Sequence, residues 1–230
     1  KIYEDNDIVI CDSWKSINAV PEKVNKIIVF AHGQEYLATK KTKLIKKSLY
    51  RANHIISSSN YTLDLINNLN ITEIKKSVIP PTYSLKATDE NNIFKKPTKK
   101  VSILSITRLE ERKGIIPVLK SLSYLHKEKL TKPFIWEICG EGNQETEIKN
   151  YIDNLGLSKH VRLLGRVSNE IKNQLLKKAD LFVMPSYKVR NSIEGFGISY
   201  IEAASYGVPS IAGVEGGIRD AVFDMKTGWC

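Results

Sequence analysis

From Val101 onward the chain alternates short apolar runs with segments whose apolar residues recur every three or four positions. The runs Val101–Ile106, Phe134–Cys139, Val161–Leu164, Leu181–Pro185 and Pro209–Ala212 lack the polar alternation of a half-solvated strand, so each reads as a strand buried on both faces. A helical pattern follows each. The first carries Ile116, Leu119, Leu122 and Leu125 on one face, with Pro117 suited to a first turn. The others run near Glu145–Leu155, Asn169–Ala179, Gly197–Tyr206 and Gly217–Phe223. Strands joined through helices predict a doubly wound parallel α/β sheet.

The same alternation occurs earlier, with strands at Asp7–Cys11, Lys26–Ala31, His54–Ser57 and Ser77–Ile79 and helical patterns near Leu37–Asn53 and Asn60–Leu69. Between the halves, Pro80 to Lys100 is polar and proline-bearing, as a linker is. The expected organisation is a first domain over residues 1–82, a linker over 83–100 and a second domain over 101–230. Open α/β sheets bind ligands beyond the carboxyl ends of their strands, so two such domains facing each other would enclose a cleft.

Composition narrows the class. The chain has 230 residues, 42% hydrophobic, and no apolar run approaches the roughly 20 residues that span a bilayer. Lys1–Asp7 is acidic where a secretory signal would be basic and then apolar, and it reads as the middle of a longer chain. Three scattered cysteines, Cys11, Cys139 and Cys230, argue against a disulfide framework and for a cytoplasmic setting. The net charge of +10 is uneven, with 17 Lys and Arg against 10 Asp and Glu in residues 1–100. Much of that excess lies in Lys40–Arg51, a basic helical pattern with Leu44, Ile45 and Leu49 turned inward. A solvated helix face is the plain meaning; attraction to an anionic membrane surface or a lipid-linked acceptor is the sharper one. Because the basic residues are not interleaved with aromatics, a nucleic-acid partner is not expected, although a basic nucleic-acid-binding module stands as an alternative.

The segment Glu194-Gly-Phe-Gly-Ile-Ser-Tyr-Ile-Glu202 says most about function. Gly195, Phe196 and Gly197 open a helix whose free amides can face an anion, with Glu194 in the preceding loop and Glu202 inside the helix. The apolar Ile198 and Ile201 and small Ala203 and Ala204 predict a largely interior helix, where an unpaired carboxylate is costly. Arg108 and Lys113 follow a strand, as do Gly140, Val167 and the Gly216–Gly217 pair, and His32 follows a strand of the first half. Each has a plain reading as a turn glycine, a surface charge or a structural histidine.

Together these elements resemble the retaining, GT-B-fold glycosyltransferases of family GT4. Glu194 and Glu202 match the family's E-x7-E signature, Arg108 to Gly114 its R-x4-KG element, Gly140-Glu-Gly142 its G-x-G turn, and His32-Gly33 its HG element. The resemblance implies two Rossmann-like domains, the N-terminal one incomplete and the C-terminal one nearly complete. It implies transfer of a hexose from a nucleoside diphosphate sugar, such as GDP-mannose or a UDP-hexose, to a glycan or lipid-linked acceptor with retention of configuration and without a metal. Arg108, Lys113 and the Gly216–Gly217 amides would meet the diphosphate, Glu202 the ribose, Glu194 and His32 the sugar, and Val167 the base. Ile218-Arg219-Asp220 departs from the Pro-Glu that often follows the glycine pair, leaving Arg219 without a role. An epimerase of sugar nucleotides on the same fold is the other enzymatic alternative.

Overall fold

The structure, a computed structural model, describes residue 4 and residues 7–37, 40–83 and 99–230. Most of the linker expected over 83–100 lies outside the described residues. The chain divides into two compact units. One comprises Lys1–Pro81 with Arg190–Phe196 and Gly216–Asp220; the other comprises Thr82–Val189, Gly197–Glu215 and Ala221–Cys230.

The first unit is built on a parallel sheet ordered β1 (Ile8–Cys11), β2 (Lys26–Ala31), β3 (His54–Ser57) and β4 (Lys75–Val78). Helix α1 (Thr42–Leu49) joins β2 to β3, and α2 (Asn60–Asn67) joins β3 to β4. Ser59 caps α2, its hydroxyl accepting from the Thr62 amide at 3.1 Å. Ile27, Val29 and Ile55 pack in one core with Ile45, Leu49 and Ile66 of the helices. On the edge strand β1, Ile8 and Ile10 are more than half exposed. Their alternation with Val9 and Cys11 turns one face of the strand inward and leaves the other open.

Helix α1 is shorter than its pattern predicts because its flanks have other partners. Asn53 exchanges hydrogen bonds with Ile27 of β2, its amide donating at 2.8 Å and its side-chain oxygen accepting at 2.7 Å. Arg51 reaches the carbonyls of Ile17, Val20 and Pro21. Leu44, expected inward, is exposed: Ile45, Ser48 and Leu49 fill the buried face, and Leu44 lies off it.

The second unit holds six parallel strands: β5 (Val101–Ile106), β6 (Phe134–Cys139), β7 (Val161–Gly165), β8 (Leu181–Met184), β9 (Ser210–Ala212) and β10 (Gly228–Trp229). Their order is β10-β9-β8-β5-β6-β7. The chain winds outward from β5 through β7, then returns to β5's other side with β8, so the topological switch lies between β5 and β8. Helices α3 (Ile115–Lys127), α4 (Glu145–Asn154), α5 (Asn169–Lys178) and α6 (Ile198–Ser205) link the strands, and a short helix α7 (Ile218–Ala221) precedes β10. In α3 Leu119 is buried as expected, joined by Ile115 and Ser123, while Ile116 and Leu122 of the expected face are only partly buried. Trp136, wholly buried, donates its indole N–H to Ser105 at 2.9 Å and so pins β6 to β5.

Candidate functional site

At the carboxyl ends of β5, β6 and β7 lies a crevice of about 510 Å³, with Ser199 of α6 and Lys172 of α5 in its wall. Thr107 and Arg108 continue from β5, Gly140 and Glu141 from β6, and Arg166 and Val167 from β7. Three cationic side chains, Arg108, Arg166 and Lys172, face one acid, Glu141, in that wall. Arg108 is paired with Glu110 and Lys172 with Glu202, so the three cations bring hydrogen-bond donors to the wall, which suits an anionic ligand able to compete for them.

Backbone geometry shapes this wall. Gly140 has φ 132°, and a side chain there would begin 1.7 Å from the Thr107 carbonyl oxygen. Its amide donates to the Gly165 carbonyl at 2.7 Å while Thr107's donates to Cys139 at 2.9 Å, closing the three strand ends together. Burial, reinforced by the Glu137 carboxylate, pushes the Cys139 thiol up to about 11, so this wall residue is neutral at physiological pH.

The cations predicted from sequence take different positions. Arg108 has a side chain 65% exposed and pairs with Glu110 at 2.7 Å. Lys113 is buried under a 3-10 turn (Glu111–Lys113), its Nζ 3.7 Å from Met184 Sδ at the end of β8, and it is not part of the crevice wall. The neighbouring Arg112 is buried too, 3.3 Å from Glu110.

Glu202 is placed by its helix. Ser199 donates to the Ile106 carbonyl at 3.0 Å and the Tyr200 hydroxyl to that of Met184, tying α6 to the ends of β5 and β8. Tyr200 and Ala203 bury the helix, whereas Ile198, expected to do so, is exposed. The Glu202 carboxylate, buried, meets Lys172 Nζ at 2.6 Å. Sequence reasoning missed Lys172, because a partner thirty residues away on another helix leaves no local pattern.

The remaining candidates gather in the first unit. His32 Nε2 lies 2.9 Å from the Asp12 carbonyl, which can only accept, so that nitrogen carries a proton, and in the neutral ring Nδ1 is the acceptor. Glu35 accepts from the His32 amide at 2.7 Å. A Cβ on Gly195 would stand 2.0 Å from the His32 carbonyl oxygen, and one on Gly217 would stand 1.9 Å from that of Gly195. Ser59 donates to the Gly195 carbonyl at 2.7 Å, and Gln34 to that of Ile193 at 2.8 Å. The Gly217 amide donates to the Glu194 carbonyl at 2.9 Å, so it is engaged within this loop rather than turned to an anion as the glycine pair suggested. Phe196 is buried, and Gly197, at φ 98°, starts α6. Asp12, also missed, accepts hydrogen bonds from Ser16 and Ser13, which hold its carboxyl below the usual range. His54 lies 2.9 Å from Ser77 across β3 and β4.

Two parallel Rossmann-type sheets, one with a cation-lined crevice beyond its strand ends, define a protein of the GT-B class. Solved structures agree on the fold: HepE from Anabaena in complex with UDP superposes with a TM-score of 0.77 at 18% identity, covering 97% of this chain and 64% of that one. The lipopolysaccharide outer core galactosyltransferase WaaB gives 0.74 at 21% identity, covering 97% and 61%. The chain belongs to the glycosyl transferases group 1 family, whose model matches residues 86–230. Curated relatives include the putative colanic acid biosynthesis glycosyltransferase WcaL of Escherichia coli (strain K12), 29% identical over 137 residues, covering 59% of this chain and 33% of that protein. Another is a GDP-mannose-dependent alpha-(1-6)-phosphatidylinositol monomannoside mannosyltransferase of Mycolicibacterium smegmatis, 31% identical over 129 residues, covering 55% and 33%. The match thus spans about a third of the length of these relatives.

Proposed function

We propose that the chain is part of a retaining glycosyltransferase that moves a hexose from a nucleoside diphosphate sugar to an acceptor hydroxyl in cell-surface polysaccharide or glycolipid synthesis. The observation that carries this reading is the crevice beyond β5, β6 and β7, with three cations in its wall and the buried Glu202 held against one of them. Arg108, in the wall, meets charge developing on the departing diphosphate, and Lys113, buried outside that wall, adds its positive charge through the protein interior, which is where fixed cations lower a barrier most. Gly140 lets the chain pass close to the ligand, Val167 packs on the base, and Glu202 accepts from the ribose hydroxyls. In the first unit, Glu194 and the Nδ1 acceptor of His32 orient the sugar, and the Gly216–Gly217 turn keeps its loop compact. The leaving phosphate helps take the acceptor proton, and no metal is required; turnover that stops on chelation with EDTA would remove that element.

A GDP-mannose donor is supported by the name of the mycobacterial relative, and a UDP-hexose by the nucleotide in HepE. Calorimetric titration with GDP, UDP and ADP tests the site, and product analysis with labelled donor tests transfer. Failure of all three nucleotides to bind would sink the reading. For the acceptor side we propose contact with an anionic membrane through Lys40–Arg51, where Lys43, Lys47 and Leu44 are exposed together. Among the described residues no helix is long and apolar enough to cross a membrane. Flotation with anionic liposomes should succeed at low salt and fail at high salt; no binding at low salt excludes the contact.

A further inference from the structure

We propose that Lys172 is a positioning residue for nucleotide binding, holding the Glu202 carboxylate in the orientation that receives ribose hydroxyls. The proposal rests on the reading of Glu202 given above and adds a partner to it. Lys172 Nζ lies 2.6 Å from Glu202 Oε1, with side chains only 19% and 12% exposed. The same ammonium stands 5.7 Å from the ring centroid of Tyr83, so an acid and an aromatic face both constrain it. Lys172 is also in the crevice wall and ties Glu202, which is not among the lining residues, to it.

This arrangement resolves two problems that a buried acid creates in a diphosphate site. An uncompensated carboxylate there would be costly to bury and would repel the ligand's own charge; an ammonium against it removes both penalties. A lysine is suited to the task because it is a compact charge that can occupy one oxygen. A carboxylate offers about four acceptor positions, so donation to Oε1 leaves Oε2 and a second lone pair for hydroxyls. The planar fork of arginine would tend to cover both oxygens. Holding Oε1 also fixes the carboxylate's rotation, so the free lone pairs are aimed before the ligand arrives.

The test measures affinity of the full chain for UDP, GDP and ADP, each against its 2′-deoxy form. For the nucleotide that binds, the ribo form should be favoured by about ten- to hundredfold, the size of one charge-assisted hydrogen bond. Glu202→Gln, which removes the charge but keeps one acceptor oxygen, should bring that preference well below tenfold. Lys172→Met should do the same, with Tyr83→Leu weaker in the same direction, while thermal melting reports an intact fold. If Lys172→Met does not fold, Lys172→Gln carries the test, with a preference reduced but not abolished. A wild-type preference preserved in the Lys172 variant while Glu202→Gln lowers it overturns the positioning role and leaves the ribose reading standing. A wild-type preference near one, or one unaltered by Glu202→Gln, overturns the ribose reading and this proposal with it.

Discussion

Gly140→Ala isolates the feature that shapes the crevice wall. Two costs add at this position. The backbone angle of 132° is open to glycine, and holding another residue there costs about 1–3 kcal/mol. The new Cβ would begin 1.7 Å from the Thr107 carbonyl oxygen and 2.8 Å from its carbon, both backbone atoms that no side-chain rotation can move. Forcing a methyl into so closed a space costs a further 1–3 kcal/mol or about that. Against this, alanine restricts the unfolded chain and returns about 0.4–1 kcal/mol. The net loss is about 1–5 kcal/mol, a fall in melting temperature of about 2–20 °C at about 2–4 °C per kcal/mol for a chain of this size. Gly156→Ala is the control: Gly156 also has a positive φ, 70°, but nothing lies within 4 Å of its would-be Cβ. Its cost is the left-handed backbone alone, about 1–2 kcal/mol before the same unfolded-state gain. Melting followed by circular dichroism compares the two. The Gly140 variant should melt well below the Gly156 variant, and it should also lose nucleotide affinity because Thr107 and Arg108 must shift. Equal melting temperatures for the two would show that contact with Thr107 is not what confines residue 140, and the account of the wall would fail.

The sheet of the second unit was legible because its strands are mostly apolar without regular polar alternation, despite Ser102, Ser105 and Glu137 within them; β5 and β6 have the bounds their sequence predicts. Strand β10 was not legible: two residues, Gly228 and Trp229, pair with β9 at the edge and make no run. The ends of α1 depend on Asn53 and Arg51 reaching other segments, which periodicity within the helix does not encode. In α6 hydrophobicity misled, since the exposed Ile198 outranks on any scale the small Ala203 that is fully buried. Glycines were readable as turns, but the approach of Gly195 to the His32 carbonyl is tertiary and has no sequence signature. The same holds for Lys172, an ordinary charged helix residue until α6 brings Glu202 to within 2.6 Å of it.

Two further outcomes follow from the site. Lys113→Ala in the complete enzyme should lower turnover by about 10²–10³-fold, the loss typical of removing one preorganised charge-stabilising group. Near-normal turnover in a steady-state assay with labelled donor would remove Lys113 from the mechanism. Cys139 gives a pH dependence whose sign is fixed by its environment. Its thiol is raised from the ordinary 9.0 to about 11 by burial and by Glu137, so the folded chain holds this proton more tightly than the unfolded one. Its contribution to stability is therefore complete below pH 9 and is lost as pH climbs from about 9 through 11. Because the thiolate is the nucleophile, iodoacetamide should label Cys139 slowly in the native chain at pH 8.5 and readily in urea. Cys139→Ser should flatten the alkaline limb of the stability profile. Native labelling as fast as unfolded labelling would mean that the carboxyl end of β6 is open to solvent, and the closed wall inferred for the crevice could not stand.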